Sequence, residues 1–191
     1  SASEITGELP DQLPSTLNGL FLHNNELQDN TLPEWSNLVN LTHLYLTNRY
    51  SDTGLLSGPI PEGWGNMPMA WIDVSFNEFD YLPEMPNWDL HLAAITTIDN
   101  QSIDSLDWII NNPGKHYSLH TFKVNALHGE IPNTTTIGPN MAVITLLGEL
   151  DGEVPQWIFD MRTDQILLFD NKLDTLSQNA YIPAENKIFW L

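Results

Sequence analysis

The sequence predicts an α/β solenoid of about seven repeats with one parallel β-sheet, and three observations support this prediction. A spacing of apolar residues that ends in asparagine recurs along the chain. A Gly-x-aliphatic-Pro segment follows many of the copies at a similar distance. With 41% hydrophobic residues, the 191-residue chain can bury one sizeable core. We expect a single domain over residues 1–191, with a partial first repeat over 1–16 and a C-terminal cap over 177–191.

The first recurring element has the spacing Leu-x-x-Leu-x-Leu-x-x-Asn-x-Leu. Alternation along a short strand places the central leucines on one side and the residues between them on the other. Stacked copies then form a parallel sheet with a buried leucine side, and the asparagine satisfies backbone groups where the chain turns. Full copies begin at Leu17, Met69, Tyr117 and Thr163, a weaker one at Leu92, and irregular ones at Leu41, with an insertion at 49–54, and at Met141, without the asparagine.

The second recurring element is Gly-x-aliphatic-Pro. Glycine permits a tight change of direction, and proline lacks the amide donor that a helix interior requires. We therefore expect strand edges and short 3-10 turns here rather than long helices. Of the nearby tryptophans, Trp64 is expected in the core, and Trp35 and Trp157 are expected to be partly exposed. The full element occurs at Gly7–Pro10, Gly58–Pro61, Gly129–Pro132 and Gly152–Pro155.

Together the two elements resemble the plant-type leucine-rich repeats of receptor ectodomains and polygalacturonase-inhibiting proteins, most closely at Leu56–Pro61. The resemblance implies a right-handed solenoid with its parallel sheet on the concave face and short strands and 3-10 turns on the convex side. It also implies ligand recognition without catalysis, outside the cell or on its surface. Plant members usually have cysteine-paired caps and this chain has no cysteine. A non-plant source, or excision from a larger protein, is therefore expected.

The charge of the chain restricts its partners. Twenty-five Asp or Glu residues oppose six Lys or Arg residues, which gives a net charge of -19. Such a charge repels nucleic acid and anionic lipid, and no apolar run approaches the roughly 18 residues of a membrane span. No Lys or Arg precedes Arg49 or lies between Ser51 and Gly114. We expect a monomer whose partner is neither nucleic acid nor membrane, and is basic or neutral where it contacts the N-terminal half.

The repeat spacing predicts which side chains point outward from the sheet. One expected column is Phe21, Tyr45, Asp73, Thr96, Thr121, Thr145 and Leu167, flanked by columns that contain His43, Trp71 and Ala94 on one side and His23 and Lys123 on the other. Among these outward positions only Asp73 and Lys123 are charged, and exposed apolar patches commonly mark contact sites. An alternative is that the aromatic residues pack against one another or under the insertion. The predicted ligand-binding residues are Phe21, His23, His43, Tyr45, Trp71, Asp73, Thr96, Thr121 and Lys123.

The sequence lacks the common catalytic motifs. The sequence contains no tightly spaced histidine ligands, phosphate-binding glycine loop or nucleophile elbow. We expect no enzymatic activity, metal or cofactor. The leading hypothesis is a protein or peptide ligand on the concave face, and the alternative is a polysaccharide, because an uncharged aromatic face also suits sugar rings. The threonine column suggests ice binding as a further possibility, and a purely structural role is the last.

Overall fold

Eight short parallel strands form one sheet, which we call the main sheet. Its first strand begins at Gly19 and its last strand ends at Trp190. The computed structural model describes residues 5–28, 31–48, 55–80, 83–85, 87–88, 92–95, 101–102, 117–121, 127–133, 141–146, 148–160, 165–168, 171–176 and 188–190. In chain order the strands are β1 (Thr6–Gly7), β2 (Gly19–Phe21), β3 (Glu26–Leu27), β4 (His43–Tyr45), β5 (Ser57–Gly58), β6 (Trp71–Asp73), β7 (Glu78–Phe79), β8 (Leu92–Ile95), β9 (Gln101–Ser102), β10 (Tyr117–Thr121), β11 (Leu127–Glu130), β12 (Met141–Thr145), β13 (Gly148–Val154), β14 (Gln165–Leu167), β15 (Lys172–Leu176) and β16 (Ile188–Trp190).

The even-numbered strands stack in sequence order from β2 to β16 to form the main sheet. The odd-numbered strands pair separately, as β1 with β3, β5 with β7, and β9 through β15 in a four-stranded sheet. All of these pairs are parallel. Each turn of the chain therefore contributes one strand to the main sheet and, further on, one strand to a second sheet. The predicted parallel-sheet solenoid is confirmed, and the last strand, Ile188–Trp190, pairs with β14 at the edge of the main sheet.

The helical content differs from that of an α/β protein. The described residues contain one 3-10 helix, Glu62–Asn66, and one α-helix, α1 (Gln156–Asp160), of five residues each. The α/β class is therefore not confirmed, and neither is the number of seven repeats. The expected right-handedness and the concave position of the main sheet stay predictions. Neither described helix is long and apolar enough to cross a membrane.

The core lies between the main sheet and the second sheets. Leu44, Leu46, Ile72 and Val74 are completely or almost completely buried, as their place in the Leu-x-Leu centre predicts. Leu20 and Leu22, which belong to the copy on edge strand β2, are partly buried and pack against this core. The inward direction of the leucines is confirmed for the described copies.

Asparagine side chains connect consecutive turns, as predicted. Asn77 is completely buried, and its Nδ2 donates to Leu46 O at 2.9 Å and to Val74 O at 3.1 Å. Its Oδ1 accepts a hydrogen bond from Leu56 N at 3.2 Å. Asn171 makes the equivalent bonds to Leu146 O, Leu168 O and Leu150 N. The asparagine of one turn therefore also satisfies a backbone carbonyl and a backbone amide of the preceding turn, and Asn25 likewise accepts from Ile5 N at 3.2 Å.

Four tryptophans on the side of the second sheets are buried, and each indole nitrogen donates to a backbone carbonyl. Trp64 is completely buried, as predicted. Trp35 and Trp157, which are 2% and 4% exposed, correct the expectation that they would be partly exposed. The reason is that their Nε1 atoms reach carbonyls one turn earlier, so burial leaves no donor without a partner. The bonds run from Trp35 to Pro10 O at 2.8 Å, Trp64 to Pro33 O at 2.9 Å, Trp88 to Trp64 O at 3.0 Å and Trp157 to Pro132 O at 2.7 Å.

Candidate ligand-binding site

The outward side of β2, β4 and β6 presents two rows of side chains. The register pairs Gly19 with His43 and Phe21 with Tyr45. It pairs His43 with Trp71 and Tyr45 with Asp73. These pairings confirm the predicted columns over the first three strands of the main sheet. We call Phe21, His43, Tyr45, Trp71 and Asp73 the aromatic face.

Two pairs of stacked rings dominate the aromatic face. The ring centroids of Phe21 and Tyr45 are 5.1 Å apart with an interplanar angle of 20°, and those of His43 and Trp71 are 6.1 Å apart at 9°. Rings as close as the first pair overlap face to face, because rings lying side by side in one plane are kept further apart by their edges. The Phe21 and Tyr45 rings therefore stack on each other from neighbouring strands. Phe21 is 57% exposed, which is high for a phenylalanine side chain.

Glycine at position 19 makes room for the Phe21 ring. A Cβ atom built on Gly19 would lie 2.7 Å from Cε2 of Phe21, which is too close for two carbon atoms. The ring thus occupies the space that a larger side chain at position 19 would need. The position of Phe21 depends on this glycine as well as on its stacking with Tyr45.

Hydrogen bonding holds the ring of His43 in place. Thr42 Oγ1 lies 3.0 Å from Asn18 O and 2.8 Å from Nδ1 of His43, within hydrogen-bond distance of both. The imidazole is therefore held by the residue before it as well as by its stacking on Trp71.

Asp73 is held at the end of β6 by the residue two positions later. Ser75 N donates to Asp73 Oδ1 at 3.0 Å, and the Ser75 hydroxyl donates to the same oxygen. Ser75 Oγ also forms a hydrogen bond with Thr47 Oγ1 at 3.2 Å. Both donors thus meet one carboxylate oxygen, and among the described residues none reaches Oδ2. The Asp-x-Ser spacing is a common local turn pattern and could have pointed to this contact from the sequence.

Tyr45 is expected to ionise above its ordinary pKa of 10.0, because burial and then the nearby Asp73 carboxylate disfavour the phenolate. A raised pKa in the folded state means that the stabilisation is complete below pH 10 and is lost as the pH rises through the folded pKa. Tyrosine ¹³Cζ NMR shifts followed against pH, with Tyr45→Phe for assignment, measure this value. Asp73→Asn should lower the Tyr45 pKa without fully restoring its ordinary value. An unchanged pKa in Asp73→Asn would show that the carboxylate has no influence on the phenol.

The remaining predicted site residues are His23, Thr96, Thr121 and Lys123. His23 is exposed just beyond β2, where its carbonyl accepts from Nδ2 of Asn25 at 3.3 Å. Thr96 and Lys123 lie outside the described residues. Thr121 belongs to β10, where it pairs with Ile95. The structure thus brings together five of the predicted residues, and Gly19, Thr42 and Ser75, which support them, were not predicted.

The predicted columns are wrong from β6 to β12 and correct again from β12 to β14, where Thr145 pairs with Leu167 as predicted. The register pairs Trp71 with Leu92 and Asp73 with Ala94, whereas the repeat spacing had placed Ala94 beside Trp71. Thr145 pairs with His120, so it is not the partner of Thr121. The cause of the second change is an irregularity between Tyr117 and Ser118. A shift of one residue is enough to separate the two threonines, because side chains alternate with a period of two.

Across the part of the chain that the structure describes, no three His, Asp or Glu side chains converge in a way that could hold a metal ion. The chemistry available on the aromatic face is therefore stacking, hydrogen bonding and the charge of Asp73.

Solved structures share the leucine-rich-repeat fold with this chain. One is the Arabidopsis receptor kinase HAESA LRR ectodomain, in complex with an N-terminally extended IDA peptide hormone ligand. The alignment covers 90% of this chain and 31% of the HAESA chain, at a TM-score of 0.64 and 20% identity. The PEPR1–AtPEP1 complex matches 91% of this chain and 33% of its own, at a TM-score of 0.57 and 19% identity. A plant ice-binding protein matches 88% of this chain and 46% of its own, at a TM-score of 0.50 and 24% identity.

These comparisons confirm the resemblance at the level of the fold. The chain spans about a third of the length of these two receptor structures, 31% of HAESA and 33% of PEPR1. No family model matches the sequence, and no curated protein matches it.

Proposed function

We propose that this chain is a non-catalytic recognition module that binds a peptide segment of another protein across the aromatic face. The observation that carries the proposal is the pair of stacked aromatic rows, with Phe21 57% exposed, on a surface of low charge. The chain as a whole is strongly acidic, with a net charge of -19. Apolar area exposed in such a setting is typical of a contact surface.

The polar groups of the aromatic face suit a peptide. The His43 ring carries polar nitrogens, and the Asp73 carboxylate has an oxygen that the described residues leave available. A peptide offers amide groups for these partners and side chains that pack against aromatic rings. The HAESA ectodomain structure, which holds a peptide hormone ligand, supports the same class of ligand. Because the HAESA structure is that of a receptor ectodomain, we place this chain outside the cell or on its surface. The proposed recognition module is a monomer.

A polysaccharide is the alternative ligand, and the aromatic residues favour it through their flat apolar area. Sugar rings pack on open aromatic faces. In the Phe21–Tyr45 pair, however, the rings cover each other's facing sides, and the next side chain in the row is the short Asp73. One face of Tyr45 is thus left for a sugar ring, and this row offers no second ring beside it. We therefore place the peptide first.

The similarity to a plant ice-binding protein does not lead to a proposal of ice binding. That hypothesis depends on a column of evenly spaced threonines, and Thr121 and Thr145 do not pair with each other. Ordered water at an ice surface needs the regular spacing that this register lacks.

Selection from a random dodecapeptide display library tests the proposed function, with a glycan array in parallel. We expect the chain to retain peptides, and Phe21→Ala and Trp71→Ala each to weaken binding of a selected peptide by about tenfold or more. The matched control is Val39→Ala, which shortens a side chain that is also 57% exposed but lies on the turn before β4. Ligands found only on the glycan array would replace the peptide with the polysaccharide. Equal loss in Val39→Ala would exclude the aromatic face.

A further inference from the structure

The position of Asp73 beside the stacked rings has a consequence for the chemistry of the ligand. Phe21 covers one face of Tyr45, and the opposite face of Tyr45 is directed toward β6, where its register partner is Asp73. Asp73 ends at a carboxylate and is shorter than the ring. The row Phe21–Tyr45–Asp73 therefore leaves a gap at ring height, with an aromatic face on one side and a carboxylate at its base.

The carboxylate is oriented for a partner outside the protein. Ser75 binds Oδ1 through both its amide and its hydroxyl, and the described residues provide no donor to Oδ2. This arrangement fixes the rotamer of Asp73 while one oxygen stays available. Burial, and then the nearby Asp73 carboxylate, raise the pKa of Tyr45, in keeping with the register that pairs the two residues.

Charge and shape together specify the group that fits. Residues 1–114 contain sixteen Asp or Glu and a single Lys or Arg, Arg49, so this half of the chain attracts cations. A guanidinium is planar, stacks on aromatic rings and pairs with carboxylates in a fork geometry. Stacked about 3.5 Å from the Tyr45 ring, it would lie over Asp73 within one strand spacing of about 4.8 Å. An ammonium lacks the planar shape, and an anion would meet the Asp73 carboxylate.

We infer that the peptide ligand inserts an arginine side chain between Tyr45 and Asp73, where its guanidinium stacks on the ring and pairs with the carboxylate. This inference rests on the proposed function, because it names the side chain that the peptide contributes. It also explains why a carboxylate lies among aromatic residues on a surface of otherwise low charge.

The test uses the same dodecapeptide library and the full chain. Selected peptides should be enriched in arginine, and replacing that arginine with citrulline, which has a similar shape without the charge, should weaken binding by about tenfold. Replacement with lysine should fall between the two. Asp73→Asn, which keeps Oδ1 for Ser75, should abolish the difference between the arginine and citrulline peptides. Glu78→Gln, an equal change of charge at an exposed position on β7, should preserve it.

A second pair of variants separates the ring from the carboxylate. Tyr45→Phe keeps an aromatic face and should keep the preference for arginine, whereas Tyr45→Leu should reduce it. Raising the NaCl concentration from about 0.05 M to about 0.5 M should weaken the arginine peptide more than the citrulline peptide. Thermal unfolding of each variant shows whether it is folded.

The outcomes distinguish this inference from the proposed function. Selected peptides without arginine, or an arginine preference that persists in Asp73→Asn, would overturn the inference while the aromatic face keeps its role as a peptide-binding site. A library that yields no peptide sensitive to Phe21→Ala would overturn the proposed function and the inference with it.

Discussion

Trp64→Ala is expected to lower the free energy of unfolding by about 4 kcal/mol. Trp64 is completely buried and stacks on Trp35 with ring centroids 5.5 Å apart and an interplanar angle of 6°. Its Nε1 donates to Pro33 O, and its own carbonyl accepts from Nε1 of Trp88. Alanine would leave a large cavity between consecutive turns and a buried carbonyl without its donor. Urea unfolding followed by far-UV circular dichroism measures the loss.

Two further variants make this result interpretable. Trp64→Phe keeps an aromatic ring but loses the indole donor, so a loss of about 2 kcal/mol is expected. Leu176→Ala removes a side chain that is 40% exposed on β15 and should change stability by less than about 0.5 kcal/mol. If Trp64→Ala cost no more than Leu176→Ala, the tryptophans would not be the contacts that hold successive turns together.

Asn77→Ala is expected to cost about 3 kcal/mol, because one buried side chain satisfies the backbone of two turns. Its removal leaves Leu46 O, Val74 O and Leu56 N without this partner in the interior. Hydrogen exchange should show faster exchange of the Leu56 amide, and urea unfolding should show the loss of stability. Asn77→Asp keeps the acceptor but not the donor, so it should destabilise through the two carbonyls.

The matched control for Asn77 is Asn40→Ala. Asn40 also connects two turns, since its Nδ2 donates to Ser15 O at 2.8 Å, but it is exposed and water can replace the lost bond. A cost below about 1 kcal/mol is expected there. Equal costs at the two positions would mean that burial of the asparagine adds nothing to its contribution to stability.

The tryptophans and the later strands show why part of the structure was not predictable. Proximity to the Gly-x-aliphatic-Pro element did not reveal that Trp35 and Trp157 are buried, because their burial depends on carbonyls of Pro10 and Pro132, 25 residues earlier in the sequence. The columns of the main sheet were correct where strands keep the repeat spacing, from Phe21 to Asp73. They failed between β6 and β12, where the spacing between strands changes and the pairing of β10 with β12 contains an irregularity, and they were correct again for Thr145 and Leu167.

By itself, the sequence determined the stack of parallel strands, the inward leucines and the bridging asparagines. These features follow from local spacing, since alternation along a strand and the geometry of a turn repeat wherever the same residues recur. Only the tertiary structure decided that Phe21 leans over Gly19, that His43 stacks on Trp71, and that Asp73 lies opposite the second face of Tyr45. Each of these depends on how one turn lies against the next, and a change of one residue in that register exchanges the two faces of a strand.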